Sequence, residues 1–166
     1  MLKIITSMKE LDFGQLASVY DESICKNGSE NYSNESENIQ YLQAKQDFYA
    51  YLNMFFAQKD SALCVWETEG VYKAALRLEP YRDGVLLAGL ETAPDARRMG
   101  FGKRLVNAVV DKVGNSVHLP LYSHVDKSNI ASVLLHIACG FEKILDYGVY
   151  SDGSVFNDSV TFRKMM

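Results

Sequence analysis

Cysteine is scarce in this chain. Only Cys25, Cys64 and Cys139 occur, an odd number without metal-ligand spacing, so neither a disulfide framework nor a zinc site is indicated, and no metal is expected. Proline is equally rare, at three residues, and no apolar run reaches the length of a membrane span. The first residues hold only a brief apolar run before Lys9 and Glu10, which is not a signal peptide. The expected compartment is therefore the cytoplasm, without membrane association. Positive charge is not in excess either. Seventeen Lys and Arg face 21 Asp and Glu, a net charge of −4, which argues against a general nucleic-acid binder. Internal repeats and low-complexity segments are absent.

What is present suits one globular domain over residues 1–166, with 48% hydrophobic and 23% charged residues. The most informative stretch is 85–113. Val85 to Thr92 is short, mostly apolar and bounded by turn signals, so it reads as a strand. Pro94 removes a ladder donor. Gly100 and Gly102 follow, among Arg97, Arg98 and Lys103. Phe101, Leu105, Val109 and Val113 then recur at helical spacing. A helix N-terminus leaves N–H groups unpaired and carries partial positive charge, glycines open the backbone to a ligand, and three cations add fixed charge. The stretch is a site for phosphate or pyrophosphate. Two common nucleotide loops do not fit. Leu105 occupies the third glycine position of the dinucleotide fingerprint, and Arg104 stands where a Walker A loop needs Ser or Thr.

The rest of the chain reads as follows. Leu2 to Thr6 is a strand, and Ser7 with Glu10 suggests a capping box opening a helix with Met8, Leu11, Leu16, Val19, Tyr20 and Ile24 inward. Residues 27–37 read as a polar loop. An aromatic-rich helix over about 36–58 presents Ile39, Leu42, Tyr49, Leu52, Phe55 and Phe56, with Tyr41, Phe48 and Tyr51 beside that face. Strands at 62–68 and 71–79 lead, through an Asp83-Gly84 turn, into the strand at 85–92. A strand at 116–125 contains Pro120, which is awkward in a central position. A short helix at 129–138 would bury Ile130, Val133, Leu134 and Ile137 and is closed by Gly140. Two last strands, 141–150 and 155–164, are joined at Asp152-Gly153. An exposed last strand would allow pairing between subunits in a homodimer.

Arg97-x-x-Gly100-x-Gly102 after Leu90-x-Thr92-x-Pro94 resembles the pyrophosphate loop of the GNAT superfamily of acyl-CoA-dependent N-acyltransferases. Val125-x-x-x-Asn129 followed by Gly140-Phe141 resembles that family's second signature. The likeness covers roughly the last hundred residues by motif. It covers the first sixty only by element order.

The resemblance implies a single-domain α/β fold with a mixed, mainly antiparallel sheet, flanked by helices and splayed at its centre for CoA. It implies acetyl-CoA as co-substrate and an amine acceptor on a small molecule or peptide. Cofactor contacts carried over are Thr92, Arg97, Arg98, Met99, Gly100, Phe101, Gly102, Lys103, Asn129 and Ser132. Glu91 stands where the family often places a carboxylate base; His124, His118 and a water relay compete for that role. Backbone N–H groups near Thr92 would polarise the thioester carbonyl. The chain departs from the family at two positions: Ser132 replaces a frequent Ala, and His136 replaces the tyrosine that serves as acid toward the CoA thiolate. Positions 129, 132 and 136 share a helix face, so His136 is the candidate acid. The other reading, which this departure keeps open, is an acyl-CoA-binding module of the same fold without catalysis.

Overall fold

The computed structural model describes residues 1–114, 116 and 118–166. A seven-stranded sheet has the order β1-β2-β3-β4-β5-β9-β6, formed by Leu2–Ile5, Ala62–Thr68, Val71–Tyr81, Gly84–Thr92, Leu121–Asp126, Ser159–Lys164 and Glu142–Leu145. All neighbours are antiparallel except β4 and β5. The remaining two strands, β7 (Gly148–Val149) and β8 (Val155–Phe156), form a separate small hairpin. The expected mixed, mainly antiparallel α/β sheet is the one observed.

The helices are α1 (Phe13–Val19), α2 (Asp21–Asn31), α3 (Glu37–Ala57), α4 (Phe101–Val109) and α5 (Ile130–Ala138). The expected capping box at Ser7 is displaced. Glu10 accepts from the Thr6 amide at 3.0 Å, and Asp12 caps α1 by accepting from Gln15 N at 3.0 Å. Residues 27–31, expected as loop, are the last turn of α2, because Gly28 lets that helix lie directly against the backbone of Gln40 in α3. Along α3 the inward line is Tyr41, Ala44, Phe48, Tyr51, Leu52 and Phe55, a spacing of three and four residues; Ile39, Leu42 and Tyr49 are exposed.

The last helix is turned the other way from expectation. Ile130, Leu134 and Ile137 are 61%, 60% and 55% exposed, whereas His136 is 2% exposed. Nearly every position of α5 is apolar, so periodicity alone could not select the buried face. The last strand also differs from expectation: β9 lies inside the sheet between β5 and β6, so it offers no free edge to a second subunit. Pro120 ends up just before β5, where its carbonyl accepts from Val85 N at 3.0 Å. Of the strand expected at 116–125, Val117 lies outside the described residues; the remainder begins at Leu121.

Two irregularities make the centre of the sheet. β4 and β5 pair only over Val85–Leu87 and Leu121–Ser123, then separate. On its other side β4 carries an extra residue against β3: Ala75 faces Glu91 and Arg77 faces Ala88, so one residue of β3 opposes two of β4. Gly89 in this bulge has φ +59°, a conformation that favours glycine, and Tyr20 donates its hydroxyl to the Gly89 carbonyl at 2.5 Å.

Candidate active site

The separation of β4 from β5 opens a cleft of about 890 Å³ between β4, α2, α4 and α5. At one end, Gly100 is the N-cap of α4 with φ +81° and supplies no side-chain cap. The first-turn N–H groups therefore face the cleft without a side-chain acceptor. Arg98 and Lys103 line the same end. Gly102 lies at the closest approach of three elements. A Cβ there would stand 3.2 Å from Leu135 Cδ1 and 3.2 Å from Thr92 Oγ1. Open N–H groups, flanking cations and missing side-chain volume suit an anionic, elongated group such as a pyrophosphate.

Most of the residues proposed from the sequence meet here. Thr92, Arg97, Arg98, Gly100, Phe101, Gly102 and Lys103 line the cleft from the β4–α4 side, and Asn129 and Ser132 line it from α5. Asn129 is also the N-cap of α5, its Oδ1 accepting from Ser132 N at 3.0 Å. Met99 does not line the cleft and is 59% exposed. Arg97 is held by a bidentate ion pair with Glu22 of α2, at 2.6 and 2.8 Å. Both partners are well exposed, so this pair adds little stability and yields readily to a stronger anion.

Glu91 stands at the inner end. Its carboxylate accepts from the Ser23 hydroxyl of α2. Burial pushes its carboxyl above the ordinary carboxylate range, against the opposing pull of the Ser23 hydrogen bond and of Arg97. Glu91 and Ser23 also line a second cavity of about 340 Å³. A carboxylate raised in this way is a better proton acceptor than an exposed one.

His136 is not at the cleft. Its ring stacks on Phe162 at 5.6 Å and meets Phe141 edge-on at 5.5 Å. Nδ1 donates to the Ser132 carbonyl at 2.8 Å. Burial holds its pKa below the ordinary value of 6.5. The shared helix face expected for positions 129, 132 and 136 fails because Asn129 caps the helix end while His136 turns under it into the core. Leu135 and Ala131 line the cleft instead. A core histidine held neutral stabilises the fold above its unfolded pKa, and that contribution is lost as pH falls below about 6.5. His136→Leu is therefore expected to leave turnover intact and to flatten the fall in Tm between about pH 6.5 and 5. Parallel melting curves and initial rates check both halves of this expectation.

Of the competing histidines, His118 is exposed and its backbone φ is +51°. His124 lines a third cavity, with burial holding its pKa down. Sequence reasoning missed Glu22, Ser23 and Lys26 of α2, which line the cleft opposite the loop. Their spacing of three and four residues marks one helix face, but it is polar and so invisible to a search for apolar stripes.

The family model for the acetyltransferase (GNAT) family matches residues 27–141. No curated protein matches the chain. Among solved structures, the chain is similar to the PaiA N-acetyltransferase from Thermoplasma acidophilum in complex with coenzyme A, with a TM-score of 0.68, 14% identity, and 100% and 99% of the two chains covered. It is similar to a ribosomal-protein-alanine N-acetyltransferase from Brucella melitensis, with a TM-score of 0.65, 20% identity, and 99% of each chain covered. A GNAT family acetyltransferase from Elizabethkingia anophelis with acetyl-CoA bound gives a TM-score of 0.57 at 14% identity, over 70% of this chain and 82% of that one. At these identities the structural likeness establishes the fold alone. The family model spans well over half of the 166 residues and takes in the glycine loop, β4 and α5, and the chain belongs to the acetyltransferase (GNAT) family.

Proposed function

We propose that the chain is an acetyl-CoA-dependent N-acetyltransferase acting by direct transfer to a primary amine. The observation that carries this reading is the position of Glu91. Its half-buried carboxylate stands where the cofactor-sized cleft meets a second cavity large enough for a small acceptor. A phosphate-bearing cofactor entering from the α4 end brings its thioester toward the bulge of β4. The Gly102 and Phe101 amides and the Arg98 and Lys103 side chains hold the pyrophosphate. Glu91 takes a proton from the incoming ammonium, which leaves a neutral amine to attack the thioester carbonyl. Beyond Leu87 the β4 backbone has no β5 partner, so an N–H there is free to donate to the developing oxyanion. The C–N bond forms and the C–S bond breaks; the proton the amide nitrogen then sheds passes through water to the departing thiolate, and Glu91 returns its own proton to solvent.

One observation favours a second reading. The cleft lining contains neither Tyr nor His among the described residues, so the side-chain acid expected from the resemblance has no occupant there. An acyl-CoA-binding module of the same fold would look like this. Thiol release from acetyl-CoA with a panel of amines, with the acetylated product identified by mass, separates the two. Turnover supports the transferase; binding of acetyl-CoA with no turnover for any amine supports the module.

A further inference from the structure

Three cavities run in series through the centre of the molecule. The cofactor cleft shares Ser23 and Glu91 with the second cavity, and the second shares Arg77 and Gly89 with a third of about 280 Å³. Arg77 therefore lies next beyond Glu91 along the path an acceptor must occupy. Resting on the transferase reading above, we infer that the acceptor is an amine carrying a carboxylate, and that Arg77 holds that carboxylate while Glu91 receives the amine.

The side chain of Arg77 is unusually well prepared. It is 20% exposed, its guanidinium lies over the Tyr51 ring at 5.2 Å, and its Nε donates to Glu79 Oε1 at 3.0 Å. That is its only hydrogen bond among the described residues, so Nη1 and Nη2 are left as an open two-donor fork. The fork lies against Gly89 in the bulge. A Cβ on Gly89 would come within 2.6 Å of Nη1, so the absence of a side chain at that position is what admits the guanidinium. The Tyr51 contact and the Nε bond hold the guanidinium in place, and a planar fork with two parallel donors matches a carboxylate. The half-buried cation is already paired with Glu79 through Nε, and the spare Nη donors are what a second anion would complete. Glu79 occupies only the Nε side.

Asp47 and Glu91 also line the second cavity, which raises a diamine as the contrasting acceptor. Arg77 disfavours it, because the second ammonium of a short diamine would lie against a fixed like charge. The acid-bearing amine has two sources, a free amino acid or a peptide whose N-terminal residue is Asp or Glu.

The test compares matched pairs on the full chain: β-alanine and 4-aminobutyrate with their amides, aromatic amino acids with their amides, and Asp- or Glu-starting peptides with Asn- or Gln-starting ones. 1,4-Diaminobutane is the contrast. In at least one of these pairs the acid is expected to exceed its amide by 10-fold or more in kcat/KM, mostly through KM. The free amino-acid and peptide arms tell which source is used. In Arg77→Met the acid-to-amide ratio should fall to about one, with Arg77→Lys between, and circular dichroism checks that both remain folded. Amides or the diamine used as well as the acids, or an unchanged ratio in Arg77→Met, overturns the inference. Calorimetric binding of the same pairs to wild type and variants reads the carboxylate preference without turnover. A chain that binds acids over amides but acetylates nothing therefore overturns the transferase reading and keeps only the assignment of Arg77 to the ligand carboxylate.

Discussion

Glu91→Gln is expected to lower kcat by about 10²- to 10⁴-fold, the range general-base assistance supplies, while leaving the affinity for acetyl-CoA unchanged. Glutamine keeps the volume of the side chain and can still accept from Ser23, so the change removes the proton acceptor and little else. The pH dependence is the sharper readout. A base works when deprotonated, and burial raises the Glu91 pKa from its ordinary 4.5. Activity of the wild type should climb through an acidic limb lying above the ordinary carboxylate range, and that limb should be missing in the variant. At alkaline pH the free amine no longer needs a base, so the difference between the two proteins should shrink. Stability should move in the opposite sense. A carboxyl whose folded pKa is raised favours folding only while protonated, and that contribution is lost as pH rises through the folded value. The variant should therefore melt above the wild type at pH 7 to 8, and a variant with the same pH–rate profile as the wild type would remove Glu91 from the chemistry.

Gly102→Leu is expected to weaken coenzyme A binding by about 100-fold or more without unfolding the protein. The Cβ alone would already press on Leu135 and Thr92 at 3.2 Å, and both of those residues wall the cleft. The rest of a leucine side chain has to occupy the space where the cofactor would lie against α4. Gly102→Ala is the graded control. Its single methyl needs its neighbours to give by a few tenths of an ångström, so its effect on binding should be intermediate. Overpacking of this kind costs about 1–3 kcal/mol of stability. Leucine suits a helix better than glycine by about 0.8 kcal/mol, which offsets part of that. Titration calorimetry with coenzyme A gives the affinity, and its fall with rising salt measures the part carried by Arg98 and Lys103. Full-strength binding to Gly102→Leu would place the cofactor elsewhere.

Much of this site is legible in the order of residues alone. The glycine loop can be read because its elements are local: a strand, a Pro, two glycines and an apolar stripe lie within thirty residues, and each acts through its own backbone. The bulge cannot be read in that way, since Gly89 and Leu90 look like ordinary strand residues and become a bulge only against Leu76 of β3. Arg77 is visible only as an alternating polar residue in a strand, and its open fork depends on Tyr51 and Gly89, distant in sequence. Ser23 escapes notice for the same reason: its partner Glu91 lies 68 residues away.

Helical and strand periods, caps and turn residues act over a few neighbours, so the class of fold, the glycine loop proposed to bind the cofactor and the carboxylate preceding it are specified locally along the chain. Which face of each apolar helix turns inward is a property of the assembled fold. In α5 the chain offers apolar side chains all round, and only the packing of His136 on Phe162 and Phe141 selects one face. That choice takes the histidine out of the cleft. It leaves Glu91 as the half-buried carboxylate shared by two cavities, since burial, and with it the direction of the pKa shift, depends on what distant parts of the chain bring near.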